Sequence, residues 1–179
     1  MLQFHRVTIG DKPFVDAFTA AENSRSADFN FGNIYLWDSA YRQFLAGVDG
    51  RLLTKLKYED LPFFAFPIGT GDIRPAIEAI EEFCAHDGCH LRLRGVTDEH
   101  RDLLEDAYPG LFTFTEDRDN FDYIYLAEKL ATFSGKKLHG KRNFCNRFEK
   151  EHSWEFRRLT RELFPTCMEM LGFWQREFD

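Results

Sequence analysis

One short stretch of this acidic chain carries a strong excess of positive charge. Residues 136–150 contain six lysine or arginine residues and one acid, Glu149, so the stretch carries +5 in a chain of net charge -7. A field this localised attracts anions to one place, while the remaining acidic surface repels them. The stretch therefore indicates a local anionic partner, with a solvated helix face as the alternative. Its cations are Lys136, Lys137, Lys141, Arg142, Arg147 and Lys150.

The same stretch is amphipathic when it is wound as an α-helix, with a polar arc of about 100°. Lysine and arginine bind phosphates, and asparagine contacts sugars or base edges, so this arc predicts a nucleic-acid contact. Lys141 instead projects among apolar residues, where it either extends to solvent or is held by a carboxylate or a ligand. The polar arc is His139, Asn143, Asn146, Arg147 and Lys150, and the opposite arc is Leu138, Phe144, Cys145 and Phe148.

Metal binding and nucleophilic catalysis have weaker support. Two cysteines and two histidines lie within seven residues, but tetrahedral zinc sites normally draw ligand pairs from two separated segments. The four cysteines also lack the spacing of a disulfide framework. We predict reduced thiols, no metal and no cofactor, and no set of Ser/His/Asp or Cys/His residues indicates a nucleophile. The four clustered residues are Cys84, His86, Cys89 and His90.

Hydrophobic periodicity predicts the elements that position these residues. Asp49-Gly50 suits a hairpin turn because it accepts positive φ angles, and Thr97 suits the start of a helix that Pro109 ends. The predicted fold class is α/β (α+β), with a mixed, largely antiparallel sheet flanked by helices. Predicted strands are 4–9, 42–48, 51–57, 62–67, 90–96, 111–115 and 123–126; predicted helices are 11–22, 31–40, 73–88, the segment between Thr97 and Pro109, 127–134 and 136–152.

Residues from Asp122 onward resemble a known family. They are similar to the signature of the DUF2156 family, the soluble relative of the C-terminal domain of phosphatidylglycerol lysyltransferases. Upstream aromatic residues resemble that family's entry segment. The matching residues are Asp122-Tyr-Ile-Tyr, Leu130, Ser134-Gly-Lys-Lys, Lys141-Arg-Asn and Asn146-Arg-Phe148, and the upstream aromatics are Phe29, Phe31, Tyr35 and Trp37.

The resemblance implies tandem GNAT-like acyltransferase domains that use aminoacyl-tRNA as the donor. The element order predicted from periodicity is also the GNAT order. The acceptor stays open among a lipid headgroup, a peptide and a small amine. The predicted substrate- or tRNA-binding residues are Lys136, Lys137, His139, Lys141, Arg142, Asn143, Asn146, Arg147 and Lys150.

The loop Gly69-Thr70-Gly71 is a weaker candidate, for a phosphate. In acetyl-CoA-dependent GNAT enzymes, the backbone amides at this place hold a pyrophosphate at a helix N-terminus. Here Phe66 replaces the Gln or Arg expected three residues before the first glycine, and Asp72 adds a negative charge. The alternative is an ordinary turn between a strand and a helix.

The chain also contains a short internal repeat. An offset of 152 residues aligns Phe4, Arg6, Thr8 and Pro13 with identical residues at 156, 158, 160 and 165. Such repetition predicts a first GNAT-like domain at 1–152, and at 153–179 the first strand, 154–156, and the first helix, 163–178, of a truncated second repeat. We expect the chain to be part of a longer protein, and the truncated repeat either to form a homo-oligomer or to pack back on the first domain.

These patterns leave three functions open. The first is an aminoacyl- or acyltransferase domain. The second is a non-catalytic scaffold or RNA-binding half of a tandem protein, inactive as this chain alone, and the third is an acetyl-CoA-dependent N-acetyltransferase. No stretch approaches the roughly 20 apolar residues of a membrane span, and the N-terminus lacks a signal-peptide pattern, which predicts a cytoplasmic protein.

Overall fold

The computed structural model describes residues 2–58 and 61–178. Contacts divide the chain into two compact units, Met1–Asp122 and Tyr123–Asp179. This division falls earlier than the predicted boundary after residue 152, and the assignment of the C-terminal part to a second repeat stays a prediction. No helix in the described part of the chain is both long and apolar enough to cross a membrane.

The first unit is an open sheet with helices on both sides, which confirms the predicted fold class. Strand β1 pairs with β2, β2 with β3 and β3 with β4, all antiparallel, and β6 joins the far side of β4 in parallel. The parallel pair requires a crossover, which α4 supplies. The strands are β1 His5–Arg6, β2 Phe44–Val48, β3 Arg51–Tyr58, β4 Leu61–Ala65, β5 Ile68–Gly69 and β6 Leu93–Arg94; the helices are α1 Lys12–Glu22, α2 Phe31–Leu36, α3 Asp38–Tyr41, α4 Ile73–Asp87 and α5 Asp98–Ala107.

Alternating strand residues fill the core on the two faces of the sheet. On β3, Leu52 belongs to a cluster that also contains Val15 of α1 and Leu104 of α5. Its neighbour Leu53 belongs to a second cluster with Ile80 of α4. Successive residues of a strand point to opposite faces, so the run of apolar residues on β3 reflects a sheet that is covered on both sides.

The predicted turn residues perform the expected roles. Asp49 and Gly50 have φ angles of 43° and 79° in the turn between β2 and β3. The side chain of Thr97 accepts a hydrogen bond from the backbone N–H of His100 at the start of α5. Gly88 ends α4 with a φ of 69°. These local rules confirm the predicted hairpin and the bounds of both helices.

The second unit is helical in its described residues. Two single-turn 3-10 helices, Lys136–Leu138 and Arg161–Leu163, precede its two longer helices. The helices at 127–134 and 136–152 were predicted, with slightly different ends, and so was the helix at 163–178. The α-helices are α6 Ala127–Thr132, α7 His139–Glu151 and α8 Phe164–Phe178.

Several predicted elements are wrong. The segments 111–115, 123–126 and 154–156 form no strand, the strand predicted at 90–96 is reduced to the two residues of β6, and the helix predicted at 31–40 is divided at Trp37. These first three segments were predicted as strands from their sequence pattern, but no strand of the described residues pairs with them. Tyr123 and Ile124 are 88% and 78% exposed, so no sheet face covers them.

Replacement of Gly71 by alanine is expected to destabilise the first unit by about 3 kcal/mol, because the added Cβ would overlap the backbone oxygen of Asp49. Urea denaturation measures the loss. Gly10→Ala is the matched control, since its Cβ would meet only the Thr8 hydroxyl at an ordinary 3.6 Å. Equal stability of the two variants would contradict this account of the hairpin.

Candidate functional site

The predicted basic stretch lies on two elements of the second unit. Lys136 and Lys137 occupy a 3-10 helix, which follows a turn in which Phe133 and Gly135 have φ angles of 46° and 89°. The remaining predicted residues lie on α7. The side-chain nitrogens of His139 and Asn143 are 3.4 Å apart, which confirms that they share one face of that helix.

Arg142, one of the six cations, is hydrogen-bonded within the protein. The Arg142 guanidinium donates a hydrogen bond of 2.8 Å to the backbone oxygen of Phe133, and its side chain is half-buried. This bond fixes the turn before α7. A carbonyl does not neutralise the guanidinium charge, so Arg142 still contributes to the positive field of the stretch.

The other cations are available to an anion. No carboxylate in the described residues lies within 4.0 Å of any of the six, although Arg157 in the same unit forms a 2.6 Å ion pair with Glu155. The Arg147 guanidinium lies 5.2 Å from the centroid of the Phe144 ring, a cation–π contact that leaves its donors open. Lys141 is exposed, as are Phe144 and Phe148 beside it.

The predicted phosphate loop is already occupied by the protein's own groups. The Gly69 N–H donates to Glu22 Oε2 at 2.8 Å, and Arg51 Nε donates to the Gly71 oxygen at 2.7 Å. The side chain of Asp72 caps α4 by accepting from the Arg74 N–H at 3.1 Å. Both glycines lie against the β2–β3 turn, where a side chain would overlap backbone atoms, and Thr70 is exposed between them. Backbone packing therefore explains the two glycines.

The sequence analysis missed a buried polar cluster beside this loop. His100 Nε2–H donates to Glu22 Oε1 at 2.6 Å, and the backbone N–H of Thr97 donates to His100 Nδ1 at 3.4 Å. The imidazole stacks on Phe66, with ring centroids 3.8 Å apart. Both ring nitrogens are thus used within the protein, so His100 positions α5 and has no nitrogen left for a substrate.

Arg51 completes the cluster. Its guanidinium also donates to the Pro67 oxygen at 2.7 Å. Burial lowers the pKa of Arg51, and the charges of Glu22 and Asp72 oppose that shift. An arginine directly before two apolar strand residues was the available signal. Its hydrogen-bond partners, Pro67 and Gly71, are 16 and 20 residues away along the sequence, so local spacing could not predict them.

A groove of about 1910 Å³ lies in the first unit beside the parallel strands β4 and β6. Its lining mixes aromatic side chains, including Trp37, Phe63 and Phe121, with the polar groups of Asn33 and Thr54. Concave sites that combine apolar walls with a few polar groups are the usual places for small ligands. The sequence analysis did not identify this groove, because its walls come from segments spread over more than ninety residues.

The cysteine and histidine cluster has another explanation. Cys84 is buried in the core, and its pKa is raised to about 12 by burial, by a hydrogen bond with Cys89 and by nearby negative charge. A thiol with so high a pKa is a poor source of the thiolate that metals bind. Within the described residues, no three His, Cys, Asp or Glu side chains are arranged to hold a metal ion.

Comparison with known proteins identifies the family. The family model described as "Phosphatidylglycerol lysyltransferase, C-terminal" matches residues 20–179. The chain belongs to this family. The match includes both the basic stretch and the groove, and it confirms the resemblance seen in the sequence.

One solved structure supports the fold of this family member. It is the crystal structure of a conserved protein of unknown function from Bacteroides thetaiotaomicron VPI-5482, with 31% sequence identity and a TM-score of 0.84. The alignment covers 98% of the present chain and 60% of the other, so the present chain spans only part of that protein's length. No curated protein matches the chain.

Replacement of Glu22 by alanine is expected to cost about 2 kcal/mol or more, because buried N–H groups of Gly69 and His100 lose their acceptor. Glu22→Gln keeps one acceptor oxygen and should cost less. Chemical denaturation compares both with Glu82→Gln, a change at an exposed position of α4. If the Glu22→Ala protein were as stable as that control, the Glu22 carboxylate would not contribute to the stability of the fold.

Proposed function

We propose that this chain is the GNAT-like domain of an aminoacyltransferase that uses aminoacyl-tRNA as its donor. The observation that carries the proposal is the set of cations on and before α7, which have no acid partners among the described residues. Such a set binds phosphates through charge, and it occurs here in a family named for lysyl transfer. The nine predicted binding residues remain the proposed tRNA contacts.

The strand order supports the GNAT-like assignment. An antiparallel series, β1 to β4, is followed by the crossover helix α4 and by β6, which is parallel to β4. This agrees with the predicted GNAT order as far as β6 and α5, and the two strands predicted after α5 are absent from the described residues. The groove beside the parallel pair is the proposed place where donor and acceptor meet.

The transfer reaction needs few catalytic groups from the protein. An amine or hydroxyl of the acceptor attacks the ester carbonyl of the aminoacyl-tRNA, the C–O bond to the tRNA breaks, and the proton of the acceptor passes to the departing oxygen through solvent. The ester is already activated, so no protein nucleophile is needed and orientation of the reactants supplies much of the rate. The acceptor remains open among a lipid headgroup, a peptide and a small amine, with phosphatidylglycerol suggested by the family name.

A scaffold or RNA-binding role is the second candidate, because the chain spans 60% of the solved relative's length. In that case the remaining part of a tandem protein would supply the catalytic groups. Incubation with lysyl-tRNA and phosphatidylglycerol vesicles separates the two functions. Formation of lysyl-lipid supports transfer by this chain, whereas tRNA binding without ester loss supports the scaffold.

The affinity for tRNA is expected to fall steeply with salt, by roughly 0.7 to 0.9 powers of salt concentration for each phosphate neutralised. Replacement of both Arg147 and Lys150 by alanine should make the slope shallower by about 1.5. Filter binding across a salt series measures the slope.

The matched control removes two cations that already have partners in the protein. Arg157 pairs with Glu155, and Arg6 pairs with Asp38 at 2.8 Å. Arg6→Ala combined with Arg157→Ala changes the net charge by the same amount and should leave the slope unchanged. Equal slopes for the two double variants, or no tRNA binding at low salt, would indicate that the basic stretch is a solvated helix face and does not bind tRNA.

The third candidate, acetyl-CoA-dependent acetylation, has a separate test. The Gly69 amide is hydrogen-bonded to Glu22, and Asp72 is the N-cap residue of α4, so a pyrophosphate would meet two carboxylates. We expect no acetyl-CoA binding by isothermal calorimetry. Micromolar affinity would contradict this expectation and favour the acetyltransferase.

A further inference from the structure

The strand β6 leaves one edge of the sheet open. In the part of the chain that the structure describes, β6 is the last strand of the sheet, with β4 on one side. On that side the backbone oxygens of Arg92 and Arg94 each accept a hydrogen bond of 2.9 Å. Alternate residues of a parallel strand bond to the same neighbour, so the N–H and C=O of Leu93 face away from β4. Neither group has a hydrogen-bond partner among the described residues.

The groove described above lies along this open edge. Its lining includes every residue from 91 to 98, and also every residue from 111 to 117. The stretch 112–116 forms neither helix nor strand, and its backbone N–H groups have no hydrogen-bond partner within the described part of the chain. Two walls of the groove therefore expose backbone groups that are not hydrogen-bonded. An extended peptide can bind such an edge by adding one strand to the sheet.

The same chain contains an extended segment that lacks a partner strand. Residues 121–126, Phe-Asp-Tyr-Ile-Tyr-Leu, form neither helix nor strand, and the backbone is extended at both Phe121 and Leu126. The backbone groups of 123–125 make no hydrogen bond to any described residue. All four side chains of 123–126 are exposed, although aromatic and β-branched residues are the types that favour strands.

The open edge and the extended segment match in length and in character. The stretches 91–96 and 121–126 both contain six residues, enough for a strand of roughly 20 Å. The edge offers the half-buried side chains of Leu91 and Leu93, which suit the apolar side chains of the segment. The edge stretch contains two arginines and no acid, whereas the segment contains one acid, Asp122, and no base. The two stretches are therefore suited to pair with each other.

We propose that residues 121–126 pair as a strand with the β6 edge of a second copy of this chain. Each copy carries both an open edge and an unpaired segment, so two copies related by a two-fold axis satisfy both at once. The contact gives the backbone of Leu93 a partner and covers apolar side chains that one copy leaves exposed. The added strand fills the part of the groove next to β6, so it competes with any molecule bound there. This association rests on neither tRNA binding nor aminoacyl transfer.

Sedimentation equilibrium of the full chain, without tRNA, tests the association. The mass is expected to rise from 21.1 kDa toward twice that value as the protein concentration increases. Tyr123→Pro and Ile124→Pro each remove one backbone donor, and neighbouring donors point to opposite sides of a strand. At least one of these variants should therefore dimerise about tenfold more weakly, since the two-fold contact loses that bond twice. Leu159→Pro, at another exposed apolar position outside the helices and strands, should dimerise as the unsubstituted chain does.

A mass of 21.1 kDa at every concentration, or equal dimerisation of all three variants, would overturn the proposal.

Hydrogen exchange of the unsubstituted chain locates the contact. Amide exchange in peptides that cover 91–96 and 121–126 is expected to slow as the dimer forms, because open N–H groups become hydrogen-bonded. Peptides of α8, which also exposes apolar side chains, should exchange at the same rate in monomer and dimer. Slower exchange in α8 without a change in the other two segments would place the contact elsewhere. Protection of both segments in the monomer would show that they pair within one chain, and either result overturns the proposal.

Discussion

The carboxylate of Glu22, whose side chain is 13% exposed, connects three separate parts of the first unit. One oxygen accepts the N–H of Gly69 on β5, and the other accepts the Nε2–H of His100 in the first turn of α5. Glu22 itself is the last residue of α1. A buried carboxylate is costly unless its hydrogen bonds are made, so these three elements must approach in one relative arrangement for the interior to be stable. Arg51 adds the compensating positive charge within the same region.

The two units use their charged residues differently. In the first unit, several charged groups form ion pairs, as Arg6 and Asp38 do. In the second unit, the cations of α7 are left without acids among the described residues. Paired charges stabilise a fold slightly and attract no ligand, whereas unpaired ones of a single sign create a field that reaches into solvent. The second unit is therefore the better place to look for a polyanion.

Features that depend on local chemistry could be predicted from the sequence. The Asp49-Gly50 turn, the Thr97 cap and the end of α4 at Gly88 follow from the conformations that single residues accept. The strands predicted at 111–115 and 123–126 could not be judged in this way, because a strand exists only when another strand pairs with it. The contact between Glu22 and His100 joins residues 78 positions apart, and periodicity contains no information about such pairs. The basic stretch was predictable as a helix, but only the structure shows that its cations have no acid partners in the part of the chain that it describes.

The packing of Gly69 and Gly71 against the β2–β3 turn has a consequence for pattern searches. A search for two glycines separated by one residue, between a strand and a helix, would select this loop as a nucleotide-binding motif. The same glycines are required here because a backbone segment passes too close for any side chain. A more selective search would also test whether the backbone amide of the first glycine is already hydrogen-bonded to a carboxylate from another helix. Distant sequences with this loop could then be divided into structural turns and candidate nucleotide sites by the residue that aligns with Glu22, and not by the glycines.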